Sequence, residues 1–335
     1  MDFSFVPSGY SSLLDIRQTE VAIKKVKDFF ERDLAHQLNL TRVSAPLFVR
    51  SDSGLNDTLN GVERPVSFDI KDYDGEVEIV QSLAKWKRQA LAVYGFEPGE
   101  GLYTDMNAIR RDEDTDNIHS IFVDQWDWEK IITAEERNEE TLKSAVRAIY
   151  RSLKNTEDYV AQEYDFIGKV LPEDIFFVTT QELEDMYPDL SSKERENAIA
   201  RDKGAVFIMQ IGGKLRSGKI HDGRAPDYDD WSLNGDIIVY YPVIDMALEL
   251  SSMGIRVDAA ALKRQLDERG CPERAELPFQ KALLNNELPL TMGGGIGQSR
   301  MCIFLLGKAH VGEVQASIWP EDTIKMCNEN GIHLL

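Results

Sequence analysis

The sequence is short of the residues on which many enzyme sites rest. Its 335 residues include only three cysteines, Cys271, Cys302 and Cys327, scattered along the chain. No Cys-x-x-Cys pair occurs and no histidine is spaced to complete a zinc site, so the thiols are expected to be reduced and mostly buried. The five histidines, His36, His119, His221, His310 and His333, are equally dispersed, which leaves histidine-ligated metal and Ser-His-Asp chemistry without support. Positive charge is also scarce, with 38 Lys and Arg against 58 Asp and Glu and a formal net charge of −20. A duplex or tRNA binder draws most of its affinity from cations set against phosphates. The expectation is therefore no nucleic-acid partner. No apolar run approaches the roughly 20 residues that span a bilayer, and Met1-Asp2-Phe3-Ser4 lacks a basic stretch followed by an apolar one. These absences predict a cytoplasmic protein with no membrane partner. Linker-like, repetitive and low-complexity tracts are missing too, so residues 1–335 read as a single domain.

What remains is an ordinary globular composition, 42% hydrophobic and 29% charged, whose chemistry must rest on Asp, Glu, Lys and Arg. Over residues 15–38, Ala22, Val26, Phe29, Phe30 and Leu34 recur at helical steps, with Asp15 and Gln18 spaced as a capping box. Residues 42–49, which contain Pro46, read as an edge strand. Helix and edge strand suit a subunit interface; packing on the chain's own core fits the same pattern. Residues 76–80 alternate as a strand, and Ser82 is placed to cap a following helix with Leu83, Trp86, Ala90 and Val93 on its apolar face. Residues 101–109 and 120–130 read as strands joined by a charged loop too long for a tight hairpin. Helices are predicted at 141–166 and 192–203, strands at 205–211 and 236–243, and a last helix opening at the glycine run 293–297. Strands separated by unequal insertions favour an α+β fold on an antiparallel sheet.

Three local patterns carry chemistry. In Gly293-Gly294-Gly295-Ile296-Gly297-Gln298-Ser299-Arg300 the glycines permit close backbone approach, and a following helix start would offer free N–H groups to an anion. The run is no dinucleotide fingerprint, because Arg300 stands where the third glycine should be. It is either structural or, given Arg300, a phosphate or adenine contact. Gln125 and Asp127 lie two apart on a strand and share one face, with Trp126 and Trp128 on the other. That describes a wet pocket wall backed by core, or the solvated face of an edge strand. Lys87 and Arg256 would each, alone, read as surface cations.

The glycine run ending in Arg300 resembles motif 3 of the class II aminoacyl-tRNA synthetases. The strand-loop-strand carrying Arg110 and His119 resembles their motif 2, and residues 15–49 are similar to their weaker motif 1. Longer runs resemble the ammonia-dependent aspartate ligases, the asparagine synthetase A family. These are Gln81-Ser82-Leu83-Ala84-Lys85-Trp86-Lys87, Asp124-Gln125-Trp126-Asp127-Trp128, Arg224-Ala225-Pro226-Asp227-Tyr228-Asp229-Asp230-Trp231 and Glu249-Leu250-Ser251-Ser252-Met253-Gly254-Ile255-Arg256. The likeness runs through nearly the whole chain.

This resemblance implies a class II synthetase-like antiparallel sheet flanked by helices, in a homodimer that uses ATP and Mg²⁺ to make asparagine from aspartate and ammonia through β-aspartyl-AMP. It implies that Lys87 and Arg256 clamp the α-carboxylate, since the β-carboxylate is the one activated. Arg110 would contact the α-phosphate, Arg300 the ATP end or the adenine, with Gly295 and Gly297 in the same nucleotide-binding run. Asp236 and Glu249 stand at the Mg²⁺ positions, although either suits an ordinary acidic surface. Asp57, Asp127 and Asp229 divide the ammonia and the substrate's α-ammonium between them, in an order the sequence leaves open. Gln125, Ser82, Ser120 and Ser251 would supply neutral hydrogen bonds to substrate. For the serines, a helix cap and strand hydroxyls are the plainer alternative. Two rival functions remain, a compact class II synthetase core and a non-catalytic amino-acid-binding paralogue.

Overall fold

The computed structural model describes residues 4–57 and 63–335, so the chain start at Met1–Phe3, read above for a leader, lies outside it. Helix α1 (Ile16–Leu38) opens with the expected Asp15–Gln18 capping box and buries Ala22, Val26, Phe30 and Leu34. That stripe meets the chain's own core, where the Phe30 ring sits 4.8 Å from Trp126, while Ile16 and Val21 on the opposite side stay exposed. Residues 42–49 do not form one strand. They split into β1 (Leu40–Arg42) and β2 (Phe48–Arg50), which belong to different sheets. Pro46 lies between them and lacks the N–H that a continuous ladder would need, so it falls where the chain passes from one sheet to the other.

Strand β2 joins β3 (Ser67–Asp69) and β4 (Glu76–Ile79) in a small antiparallel sheet of order β2-β4-β3. Helix α2 (Ala84–Tyr94) follows, and its N-cap is Leu83 rather than Ser82. The Ser82 hydroxyl instead takes the Ala84 N–H at 3.2 Å, a local turn one residue early. Val93 is exposed and Leu91 buried, because the helix also turns Lys87 and Arg88 inward and rotates its apolar stripe.

Strands β5 (Gly101–Ile109) and β6 (Phe122–Ile131) form the expected hairpin, followed by α3 (Glu139–Glu163), β7 (Phe176–Thr179), α4 (Thr180–Met186) and α5 (Ser192–Lys203). Strand β8 (Ala205–Met209) is shorter than expected. Strand β9 (Asp229–Tyr241) is longer, since it pairs with both β8 and β10 (Met246–Arg256). Next come α6 (Ala259–Arg269), α7 (Pro278–Leu284), β11 (Thr291–Gly297), α8 (Gln298–Leu305) and α9 (Glu321–Glu329). The glycine run is thus a strand, and α8 is not the last helix. The large sheet has the order β1-β5-β6-β11-β10-β9-β8-β7, antiparallel throughout except for the parallel outer pairs β1/β5 and β7/β8. This is the expected α+β, antiparallel-dominated architecture. One face of the sheet carries Trp126, Trp128, Phe207, Ile237 and Ile255 into the main core with α1, α3 and α8, which leaves the face of Gln125 and Asp127 for the site. Among the described residues no helix is long and apolar enough to cross a membrane. All three cysteines are free, with Cys302 and Cys327 buried and Cys271 partly exposed.

Candidate active site

The site begins with the parity of β6. Gln125, Asp127 and Glu129 alternate with the buried Trp126 and Trp128, and on the neighbouring strand they face Gly297, Gly295 and Gly293 respectively. A Cβ on Gly295 would stand 2.5 Å from Gln125 Oε1 and 2.8 Å from Asp127 Oδ1; one on Gly293 would stand 2.1 Å from Glu129 Oε2. The glycines therefore clear room for polar side chains of the adjacent strand. In the first turn of the following helix the Ser299 N–H is already taken, donating to Asp124 Oδ1 at 3.0 Å, and the Ser299 hydroxyl donates to the same oxygen. A carboxylate from β6 thus caps one of the N–H groups that the sequence offered to an anion.

Above this face opens a cleft of about 430 Å³, a size common for small-ligand sites. Its walls gather Asp57, Ser82, Lys87, Arg110, Ser120, Gln125, Asp127, Asp229, Glu249, Ser251, Arg256, Gly295, Gly297 and Arg300 from distant parts of the chain. Asp236 is the sequence-derived candidate that does not line it. That carboxylate is buried behind the wall, paired with Arg224 and placed opposite Ser252 across β9 and β10.

At one end the cations are buried, not superficial. Lys87, 1% exposed, donates to the carbonyls of Trp128 at 3.0 Å and Gly294 at 3.1 Å and lies 3.0 Å from Asp127 Oδ2. Burial pushes its ammonium pKa down, against the pull of Asp127 and Glu129. Arg256 is held by Glu129 through Nε at 2.9 Å and Nη2 at 2.7 Å, and donates from Nη1 to Asp229. Burial raises the Asp229 carboxyl above its ordinary value, although Arg256 opposes the shift. Asp57 is buried on a loop fixed by Gln81, whose Nε2 donates to the Asp57 carbonyl at 3.0 Å. The Ser251 hydroxyl is buried in the wall with no hydrogen-bond partner among the described residues. Ser120 bonds Ser317 at 3.1 Å.

At the other end, Arg110 makes one long bond, 3.4 Å, to the Gln81 carbonyl, and its buried Nε has no partner among the described residues. Arg300 is braced by the carbonyls of Glu249 at 3.1 Å and Ile118 at 3.4 Å. His119, paired with Asp116 at 2.8 Å, also reaches the cleft. Asp236 Oδ2 takes Arg224 while its buried Oδ1 has no partner among the described residues. Burial pushes its carboxyl up, and the nearby Glu249 adds to the shift against Arg224. Asp236 and Glu249 supply hard oxygen donors of the kind a divalent cation takes, with Asp236 Oδ1 left over from the pair with Arg224, so these residues fit one. Among the described residues no three metal-ligating side chains cluster, so the remaining ligands would have to come from a bound nucleotide and water.

Sequence reasoning missed Glu129, Arg224 and the capping role of Asp124. Glu129 was within reach, because the parity that selected Gln125 and Asp127 continues to it. Arg224 lies in a quoted motif, but nothing local pairs it with Asp236. The Asp124 bond joins positions 175 residues apart and leaves no local signal.

The profile of the aspartate-ammonia ligase family matches residues 17–331. A curated relative from Ruminiclostridium cellulolyticum, named aspartate–ammonia ligase, is 66% identical over 330 residues, 98% of either chain. One of the same name from Clostridium perfringens is 66% identical over 336 residues, covering both chains fully. Among solved structures, asparaginyl-tRNA synthetase from Pyrococcus horikoshii complexed with asparaginyl-adenylate is similar, with a TM-score of 0.65 at 15% identity, over 91% of this chain and 71% of that one. Aspartyl-tRNA synthetase from Entamoeba histolytica gives a TM-score of 0.60 at 15% identity, over 90% of this chain and 59% of that one. The fold is thus that of class II synthetase catalytic cores.

Proposed function

The chain belongs to the aspartate–ammonia ligase family and makes asparagine from aspartate and ammonia with ATP, and from that premise we propose that it works through β-aspartyl-AMP. The observation that carries this route is a single cleft with Arg110 and Arg300 at one end, Lys87 and Arg256 at the other, and Asp57, Asp127 and Asp229 between them. A similarly folded synthetase in complex with an aminoacyl-adenylate supports it. The identity of the relatives along the whole chain disfavours both the tRNA synthetase core and the non-catalytic paralogue.

Ammonium and carboxylate do not condense in water without a leaving group. In the proposed sequence a β-carboxylate oxygen bonds to the α-phosphorus of ATP, and the bond to the bridging oxygen breaks as pyrophosphate departs. Arg110, with donors to spare, stabilises the charge that grows at the α-phosphate. Arg300 holds the adenine or triphosphate, with Gly295 and Gly297 beside it. Asp236 and Glu249 would hold Mg²⁺, which neutralises phosphate charge when bound. Arg256 has five N–H donors and directs three to Glu129 and Asp229, which leaves two for the α-carboxylate together with Lys87. Gln125, Ser82, Ser120 and Ser251 orient the substrate. Ammonia nitrogen then attacks the β-carbonyl carbon, AMP leaves with the acyl oxygen, and a carboxylate takes the released proton. Asp229, pushed up by burial, suits that acceptor, leaving Asp57 and Asp127 to hold the ammonium groups. The working unit is proposed to be a cytoplasmic homodimer of one catalytic domain per chain, independent of nucleic acid, with the exposed side of α1 at the interface.

The products test the route. Aspartate, ATP, Mg²⁺ and ammonium are expected to yield asparagine, AMP and pyrophosphate in equal amounts, with tRNA changing nothing. ADP and phosphate would establish an acyl-phosphate path instead. A second expectation concerns the clamp. β-Alanine, which keeps the activated carboxylate but lacks the clamped one, should be adenylated far less efficiently than aspartate, and Lys87→Ala should shrink that preference by about tenfold. A preference unchanged in both Lys87→Ala and Arg256→Ala would move the clamp elsewhere.

A further inference from the structure

Two residues of the family-like runs take no part in the chemistry above. Lys85, in the run of Lys87, and Asp227, in the run of Asp229, are 5% and 1% exposed and stand 2.9 Å apart, Nζ to Oδ2. Neither lines the cleft, whereas their neighbours Lys87, Tyr228 and Asp229 do. Residues two apart on a helix point to nearly opposite sides, so α2 directs Lys87 into the cleft wall and Lys85 beneath its floor. There Lys85 Nζ also reaches the Asn56 carbonyl at 3.4 Å, on the residue before Asp57, and Gln280 of α7 donates to Asp227 Oδ2 at 2.7 Å. The Asn56 side chain is itself fixed, accepting from the Gln81 N–H at 2.8 Å and donating to the Ile79 carbonyl at 3.2 Å.

We propose that the buried Lys85–Asp227 ion pair is a positioning device that sets the spacing of Asp57, Lys87 and Asp229, and so governs how the cleft holds the two ammonium-bearing reactants. The argument is one of economy of structure. A buried ion pair adds little stability over apolar residues of similar volume, because desolvation offsets most of the attraction. What it supplies is direction. This pair ties three separate chain segments, each of which delivers a charged group to the cleft, at a point one or two residues from that group. An error of about 1 Å at reacting groups can cost on the order of a hundredfold in rate, so a tie at this position acts on function more than on folding. Arg110 at the end of β5 and Arg300 on α8 make no direct contact with the pair, which reaches Arg110 only at second hand, through Asn56 and the long bond to the Gln81 carbonyl. The effect is therefore largest at the aspartate and ammonia end, where the tie is direct.

The proposal rests on the reading that Asp57 and Asp229 face the ammonium groups, and the test separates the two. In Lys85→Met/Asp227→Leu the two charges of the pair leave together, and Arg274, the other cation near Asp227, is only half-buried. The variant is expected to stay folded by near-ultraviolet circular dichroism, with KM for aspartate and for ammonium each raised about tenfold and KM for ATP unchanged. Lys85→Arg, which keeps the pair, should stay within about threefold of the parent protein. Should the double variant not fold, Asp227→Asn, which keeps the shape, should raise the same two constants about threefold. Unchanged constants in a folded double variant, or a rise shared equally by ATP, would overturn the proposal. Asp57→Asn and Asp229→Asn run alongside: normal aspartate and ammonium constants in both would refute the underlying site reading and the proposal with it.

Discussion

Arg110→Ala is expected to lower kcat by about 10²- to 10³-fold, with a much smaller change in the binding of ATP and aspartate. Arg110 has a single long hydrogen bond, to the Gln81 carbonyl, and a buried Nε without a partner among the described residues, so its donors are not committed to holding the fold. A guanidinium presented in this way to a phosphate gains most when charge builds on the oxygens during transfer. Removing one preorganised donor from developing charge typically costs about 2.7–4 kcal/mol of transition-state stabilisation. The loss should fall on the first half-reaction, visible as slowed aspartate-dependent exchange of pyrophosphate into ATP. Stability should hardly change, because the bond lost is one long contact to the Gln81 carbonyl. A variant with full turnover would remove Arg110 from the α-phosphate.

Legibility in the sequence followed the range over which each signal acts. The α1 capping box, the β5–β6 hairpin and the alternation of polar and tryptophan residues on β6 are local, and the structure contains them all. The helix expected at the glycine run does start at its end, with Gly297 as the N-cap of α8, yet the run itself is a strand, and the reason for its glycines lies on another strand. Gln125, Asp127 and Glu129 need the space that a Cβ at Gly295 or Gly293 would take, and they lie far away in sequence. Pro46 suits an edge strand by sequence alone, whereas in the structure it lies between strands of two different sheets. Lys87 and Arg256, unremarkable singly, became a pair only through resemblance, and their internal partners Glu129 and Asp127 appear only once β6 and β11 lie side by side. Buried charge is the part of such a site that composition hides best. In a chain with 58 acidic residues, each resembles a surface group until its neighbours are known.

Glu129→Leu should be the most destabilising single change at the site, lowering the unfolding free energy by about 3–5 kcal/mol, the usual cost of stranding one partner of a buried ion pair. Glu129 is fully buried, binds Arg256 through two hydrogen bonds, accepts from Thr291 at 2.7 Å and lies 3.9 Å from Lys87. Without it, Asp229 is the carboxylate left to Arg256 and Asp127 the one left to Lys87 among the described residues, with both cations buried. An exposed pair gives the contrast. Breaking Arg201–Asp245, more than half exposed on both sides, should leave the unfolding free energy almost unchanged. The pH dependence has a definite sign. Burial alone would push the Glu129 carboxyl up, but Arg256 overrides it and holds the group below its ordinary value. A carboxylate lowered on folding binds fewer protons in the folded state than in the unfolded one. Its contribution is therefore complete above the ordinary glutamate pKa of about 4.3 and fades as pH falls through the lowered folded value. Urea unfolding followed by tryptophan fluorescence should show a gap between the parent protein and Glu129→Leu that is constant near neutrality and narrows below about pH 4. A gap under about 1 kcal/mol at pH 7 would mean that Asp229 and Asp127 alone compensate the two cations, and Glu129 would lose its place as their anchor.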